Sequence, residues 1–309
     1  MVKVILGGFL LLMLGVVIFN AYTTYLFKSM LTPYNTTFEK HLPGRMITEN
    51  GLNADFFCVD SGKPRKTVII LGGSEGGKHW STNTAYIQQL LDRDYCVLVP
   101  AYFHAPGIPA YLREIPLEYF EKAFQWLAAQ KQVIPDEYAV IGISRGGELA
   151  LLLASRYPQI KAVAALVPSS VIFPGSPQGF FDLLAGQHSA WSYQEKPLPF
   201  VPWHISLRNA PGLVTFQQKR MFEQALGNEQ AVRDAAIQVE KASGAILCVS
   251  TPQDEVWPST WMCNQIVHRL AQNSFPFHFE HISHENAHGW CGLEQCWGKV
   301  VDFLEEYYQ

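Results

Sequence analysis

Hydrophobic positions fall into two regimes along this chain. From Val4 to Phe19 nearly every residue is apolar and none is charged, and Ala21 to Phe27 continues the run with polar breaks at Asn20, Thr23 and Thr24. No charge stands between Lys3 and Lys28. Crossing a bilayer takes about 20 such residues, so the run predicts a membrane-anchoring helix over residues 4–27, with Tyr22 and Tyr25 at an interface. A cleaved signal peptide has a similar apolar core, but no small-x-small cleavage site follows Phe19; a buried core helix is the bland alternative. The flanking charges, Lys3 and the α-amino group against Lys28 and Lys40, nearly balance, which leaves the orientation open.

Beyond a mixed stretch at 28–62, which holds one strand-like piece at Ala54 to Val59, the pattern shortens into a repeat. Thr67 to Leu71, Tyr95 to Val99, Glu137 to Ile141, Ala162 to Val167, Ala245 to Val249 and Phe275 to Ile282 are apolar runs of strand length. Between several of them lie segments of helical spacing, such as Leu117 to Gln130. Buried strands alternating with helices predict a mostly parallel sheet covered on both faces, here over residues 63–309. One interval, about 169–243, breaks the alternation and carries Phe173, Phe180, Phe181, Trp191, Tyr193, Phe200 and Trp203 among its prolines. A connection this long predicts a cap over a cleft, against the alternative that its aromatics form local core.

The chemistry enters where an apolar strand gives way to a helical pattern through Gly142-Ile143-Ser144-Arg145-Gly146-Gly147. A serine on such a sharp turn stands exposed above the sheet, and glycines beside it keep strand and helix from colliding. A serine hydroxyl needs a histidine to take its proton and a carboxylate to orient that histidine. In the α/β-hydrolase order both come later in the chain, on loops after later strands. The strand at 245–249 runs into Asp254, the candidate acid, with Glu255 as runner-up and a helix-starting role as the bland alternative for Asp254. After the strand ending near Ile282 come His284 and His288; His288, on the loop before Gly289, is the candidate base, since His281 falls within the strand and His284 at its edge. An oxyanion needs two backbone donors, one from Arg145 after the serine and one from Leu71-Gly72-Gly73-Ser74-Glu75-Gly76-Gly77, where Ser74 or Glu75 is the candidate. That glycine loop lacks the lysine-hydroxyl ending of a phosphate-binding loop and the spacing of a dinucleotide fingerprint.

Composition narrows this further only by exclusion. The 309 residues are 48% hydrophobic and 16% charged, ordinary for one large globular domain, and a net charge of -4 without a basic run gives no footprint for nucleic acid. Cys58, Cys96 and Cys248 sit in apolar runs and read as reduced core residues. Cys291 and Cys296 can pair in an oxidising compartment, and their surroundings lack the second ligand pair of a zinc site.

Taken together, these motifs resemble the C-terminal catalytic domain of the acyl-CoA thioesterase and bile acid-CoA:amino acid N-acyltransferase family. The resemblance spans roughly 63–309 and rests on the glycine loop at 71–77, on Ile115-Pro116-Leu117-Glu118-Tyr119-Phe120 with Trp126-Leu127, on the turn at 142–150, and on Asp254-Glu255-Val256-Trp257-Pro258-Ser259. It implies an α/β-hydrolase fold, a triad of Ser144, Asp254 and His288, and acyl thioesters as substrates, with no metal or organic cofactor. The transferase branch uses cysteine as nucleophile, so Ser144 points to hydrolysis. Longer members carry an immunoglobulin-like N-terminal domain, for which 28–62 is too short. Two other functions remain on the same residues: an esterase or lipase on non-CoA esters if the domain faces away from the cytoplasm, and an anchored binding protein without catalysis.

Overall fold

The structure is a computed structural model describing residues 2–29, 31, 42–179, 181–182, 186–204, 206, 209, 212, 215, 217–285 and 293–309. Its strands are β1 Gly44–Ile47, β2 Asn53–Phe57, β3 Arg65–Leu71, β4 Cys96–Ala101, β5 Ile115–Pro116, β6 Val133–Ile143, β7 Ile160–Leu166, β8 Trp191–Tyr193, β9 Lys196–Pro197, β10 Ala245–Ser250 and β11 Phe279–Ser283. The helices are α1 Val2–Ser29, α2 Thr84–Leu91, α3 Glu118–Ala128, α4 Arg145–Ala154, α5 Lys219–Leu226, α6 Glu229–Ala235, α7 Ser259–Gln272 and α8 Leu293–Tyr307. Eight strands form one sheet in the order β1-β2-β4-β3-β6-β7-β10-β11. Pairing is antiparallel from β1 through β2 to β4 and parallel from there on. The expected mostly parallel sheet is present, with an antiparallel edge.

Why the runs are so uniformly apolar is visible in β3. Successive side chains of a strand point to opposite faces; Ile69 and Leu71 join the core beneath α3, α4 and α7, while Val68 and Ile70 join the one beneath α2 and α8. A strand covered on both faces favours apolar residues at successive positions. The same rule governs β4, where Cys96 and Leu98 face one core and Val97 and Val99 the other.

At β4 the structure corrects the cysteine reading. Cys58, one residue past β2, is disulfide-bonded to Cys96, with Cα atoms 4.4 Å apart. The antiparallel register sets Phe57 opposite Val97, which brings the two sulfurs across the same ladder. Cys248 is the buried reduced hydrophobe expected. Cys296 is buried on α8, and Cys291 lies outside the described residues.

The interval at 169–243, the expected cap, forms local core. Phe173, Val201, Trp203, Met221 and Phe222 pack with Trp257 into a third apolar cluster, and Trp191 is wholly buried in the main core, on a strand of the small sheet β5-β8-β9. In contrast, the described side chains in the first part of α1 are largely exposed. Its Phe9, Leu10, Leu11, Leu14, Val17 and Ile18 are all more than half exposed. Among the described residues it is the one helix long and apolar enough to cross a membrane, over Gly7–Tyr25.

Candidate active site

Ser144 stands between β6 and α4 with φ 56° and ψ -118°, a conformation that residues with a side chain rarely adopt. Three fixtures hold it there. Its N–H donates to the Leu166 carbonyl at the end of β7 (2.8 Å), and its own carbonyl accepts the Glu148 N–H (3.0 Å). The third is the absence of side chains: a Cβ on Gly142 would run into the Gly146 carbonyl, and one on Gly146 into the Leu71 and Gly72 carbonyls of the glycine loop. The spacing read from sequence is therefore a packing requirement.

The residue after the serine does more than offer its backbone. Arg145 is buried, and its guanidinium donates to the Glu148 carboxylate (2.9 Å) and to the Pro174 carbonyl (2.5 Å). The cation also lies over the Trp257 and Phe173 rings. Glu148, wholly buried, accepts a further bond from the Trp191 indole (2.7 Å). Burial pushes the Glu148 carboxyl up, opposed chiefly by the Arg145 charge. This network ties α4, the cap and the loop after β10 together beneath the turn. Arg145 and Glu148 share one helix face at i, i+3, but neither the indole nor the ring stack leaves a signal in sequence.

The glycine loop lies against the turn, with a Cβ on Gly73 3.3 Å from that of Ser144. The buried Tyr102 hydroxyl donates to the Gly72 (2.6 Å) and Gly73 (3.2 Å) carbonyls. Burial, and then the Glu75 charge, keep its pKa well above the ordinary tyrosine value, so it stays a donor. Because a trans peptide points its N–H opposite its carbonyl, a Gly73 carbonyl turned to Tyr102 turns the Ser74 N–H the other way. Ser74 and Ser144 line one cleft. Glu75 folds its carboxylate back onto the Gly73 N–H (2.8 Å). A buried ion pair, Lys78 to Asp55 (2.6 Å), fastens the end of this loop to β2.

Asp254 is 1% exposed on the loop after β10, and its Oδ1 accepts the Val256 and Trp257 N–H groups (3.0 Å each). Those two residues line the Ser144 cleft, as do Trp203 and Phe222 of the cap. Beside the cleft, Val167 at the end of β7 has φ 41°, strained for a β-branched residue, and its carbonyl accepts the Trp257 indole.

His288 lies outside the described residues. Of the other two histidines, His281 has its ring bonded within the sheet, whereas the His284 ring Nε2 is buried with no hydrogen-bond partner among the described residues. The His281 ring, within β11, bonds Ser250 (2.7 Å) and Asn264 (3.0 Å), and the His284 N–H donates to the Ser250 carbonyl. Neither lines the Ser144 cleft among the described residues. Since β11 pairs in parallel with β10, the chain leaves both strands on the edge of the sheet where Ser144 stands.

A mostly parallel sheet with helices on both faces and a strained serine between strand and helix are features of the α/β-hydrolase fold. Residues 115–290 match the family described as BAAT / Acyl-CoA thioester hydrolase C terminal, and the chain belongs to it. Among its relatives is acyl-coenzyme A thioesterase 1 of Mus musculus, 26% identical over 225 residues, covering 72% of this chain and 48% of that protein. Bile acid-CoA:amino acid N-acyltransferase of the same species is 24% identical over 229 residues, covering 74% and 49%. The chain thus spans about half the length of these relatives. An esterase of Pyrococcus furiosus shares the fold with a TM-score of 0.55 at 16% identity, covering 90% of this chain and 96% of that one.

Proposed function

We propose that the chain is a membrane-anchored serine hydrolase that cleaves an acyl thioester through an acyl-enzyme on Ser144. The observation that carries this is the strained Ser144 at the wall of an apolar cleft, in a chain of a family that includes acyl-CoA thioesterases. Ser144 Oγ attacks the acyl carbonyl carbon and gives its proton to a histidine on the loop after β11, which we assign to His288. Asp254 orients that ring and stabilises its cationic form. The negative oxygen that forms is held by the Arg145 N–H, a donor of the first turn of α4 with no partner within the helix, and by the Ser74 N–H, which the peptide geometry favours over Glu75. The carbon–sulfur bond then breaks, the leaving thiolate takes the proton from the histidine, and water removes the acyl group by the same steps.

A second reading, a carboxylester substrate, is favoured by the Cys58–Cys96 disulfide. Disulfides persist in oxidising compartments, and a domain on that side of a membrane meets little CoA. The exposed apolar flank of α1 and the aromatic residues Tyr22 and Tyr25 support the anchor in either case. Hydrolysis of matched acyl-CoA and acyl ester series by the full chain in detergent separates the readings. Serine-dependent preference for CoA thioesters upholds the first, and activity on esters alone moves the substrate to the second. No labelling of Ser144 by a fluorophosphonate would leave only a binding role.

A further inference from the structure

The polar breaks in α1 have a partner. Asn20, Thr23 and Thr24 recur at i, i+3 and i+4, which places them on one helix face. Thr23 is 5% exposed in a helix otherwise almost bare. The Asn20 side chain accepts the Phe181 N–H of the cap (3.1 Å), and the Thr24 hydroxyl sits beside Gly179. So the last third of α1 is docked on the cap, while Phe9, Leu10, Leu11, Leu14, Val17 and Ile18 before it are more than half exposed. After the helix the chain turns, with the Leu31 N–H bonding the Lys28 carbonyl, and Leu31 packs against the main core. Lys28 and Leu31 both line the cleft that holds Ser144.

Distances along the helix turn this contact into a location. At 1.5 Å per residue, Lys28 lies about 14 Å beyond Phe19, where the unbroken apolar run ends. Residues 2–19 extend about 27 Å, close to the hydrocarbon thickness of a bilayer. With that part in the membrane, Tyr22 and Tyr25 fall in the interface and the mouth of the cleft opens onto the head-group layer. The lining fits an amphiphile: a lysine stands at the anchor side, and Leu31, Trp203, Phe222, Val256 and Trp257 lead toward Ser144.

Building on the serine-hydrolase reading, we infer that the cleft takes its substrate from the bilayer surface: an acyl chain attached to a phosphate-bearing head, with Lys28 as head-group cation and Leu31 as part of the acyl wall. The anchor is then a wall of the active site as well as a tether. Two sources share that chemistry, a long-chain acyl-CoA partitioned into the membrane and a membrane phospholipid.

The test uses the full chain in phosphatidylcholine vesicles with palmitoyl-CoA, 1-palmitoyl-lysophosphatidate, 4-nitrophenyl palmitate and water-soluble 4-nitrophenyl butyrate. The double variant Asn20→Leu/Thr24→Leu, which frees α1 from the cap but keeps it apolar, is expected to lose at least tenfold in kcat/KM on vesicle-borne palmitoyl substrates. It should keep butyrate hydrolysis within about twofold and still sediment with vesicles. Lys28→Glu should lower the ratio of phosphate-bearing to neutral palmitoyl substrate at least tenfold. Hydrolysis of palmitoyl-CoA alone identifies the first source and of lysophosphatidate the second; both uphold the inference. Equal losses on all substrates, or no loss on the vesicle-borne ones, overturn it. Fluorophosphonate labelling of Ser144 in every variant keeps that failure distinct from failure of the serine mechanism itself.

Discussion

The turn at Ser144 and the helix α1 are both glycine-containing apolar stretches, and they differ in what surrounds the glycines. Around Gly142 and Gly146 other backbone atoms come so close that a methyl group has no room, and around Gly147 they leave only a tight fit at 3.2 Å. Around Gly7, Gly8 and Gly15 nothing lies within 4 Å. Apolar composition is the same signal in both places, but the first stretch is packed by its own protein and the second presents bare side chains to whatever solvent meets them. What separates them is polar punctuation: the turn carries Arg145 and Glu148, whose charges are satisfied internally, and α1 carries Asn20, Thr23 and Thr24, which mark where it touches the cap.

The largest effect separates chemistry from scaffold. Ser144→Ala should lower kcat by about 10^4-fold or more while leaving the fold intact, read from ester hydrolysis beside a circular dichroism spectrum. Next, Gly146→Ala forces apart the turn and the glycine loop and should cost about 4 kcal/mol or more. Gly15→Ala, with open space around it, should leave the unfolding midpoint of the soluble domain unmoved. Equal effects in denaturant titrations would erase the distinction between the two stretches. Glu148→Ala leaves the Arg145 cation buried without its carboxylate, at a cost of about 3 kcal/mol. Glu148→Gln, which keeps an acceptor for the Trp191 indole, should lose less.

The smallest effect concerns acid. Burial holds His281 below the ordinary histidine value of 6.5. Below that value the unfolded chain binds a proton that the folded one refuses, so stability falls as the pH drops toward the lowered value. His281→Gln should flatten that limb in melts between pH 7 and 5 without moving the neutral plateau.

What could be read in advance followed local rules. The strands were legible because burial on both faces leaves unbroken apolar runs, and the turn because close backbone approach demands glycine at fixed spacing. The position of Asp254 on a loop after β10 was legible because that strand ends its apolar run at Ser250. What escaped reading depends on pairing between distant segments. The Cys58–Cys96 bond follows from the register of β2 on β4, and each cysteine alone looks like core. The indole on Glu148 comes from a strand 43 residues away, and the place of Lys28 at the cleft depends on how α1 docks.

The most direct test of the central claim is to trap the acyl-enzyme. The full chain is mixed with palmitoyl-CoA or a palmitoyl ester, quenched in acid within milliseconds, digested, and the peptide carrying Ser144 weighed by mass spectrometry. A palmitoyl increment on Ser144 that forms and decays at the rate of turnover is the predicted result. Turnover without that increment, or undiminished in Ser144→Ala, would contradict the account.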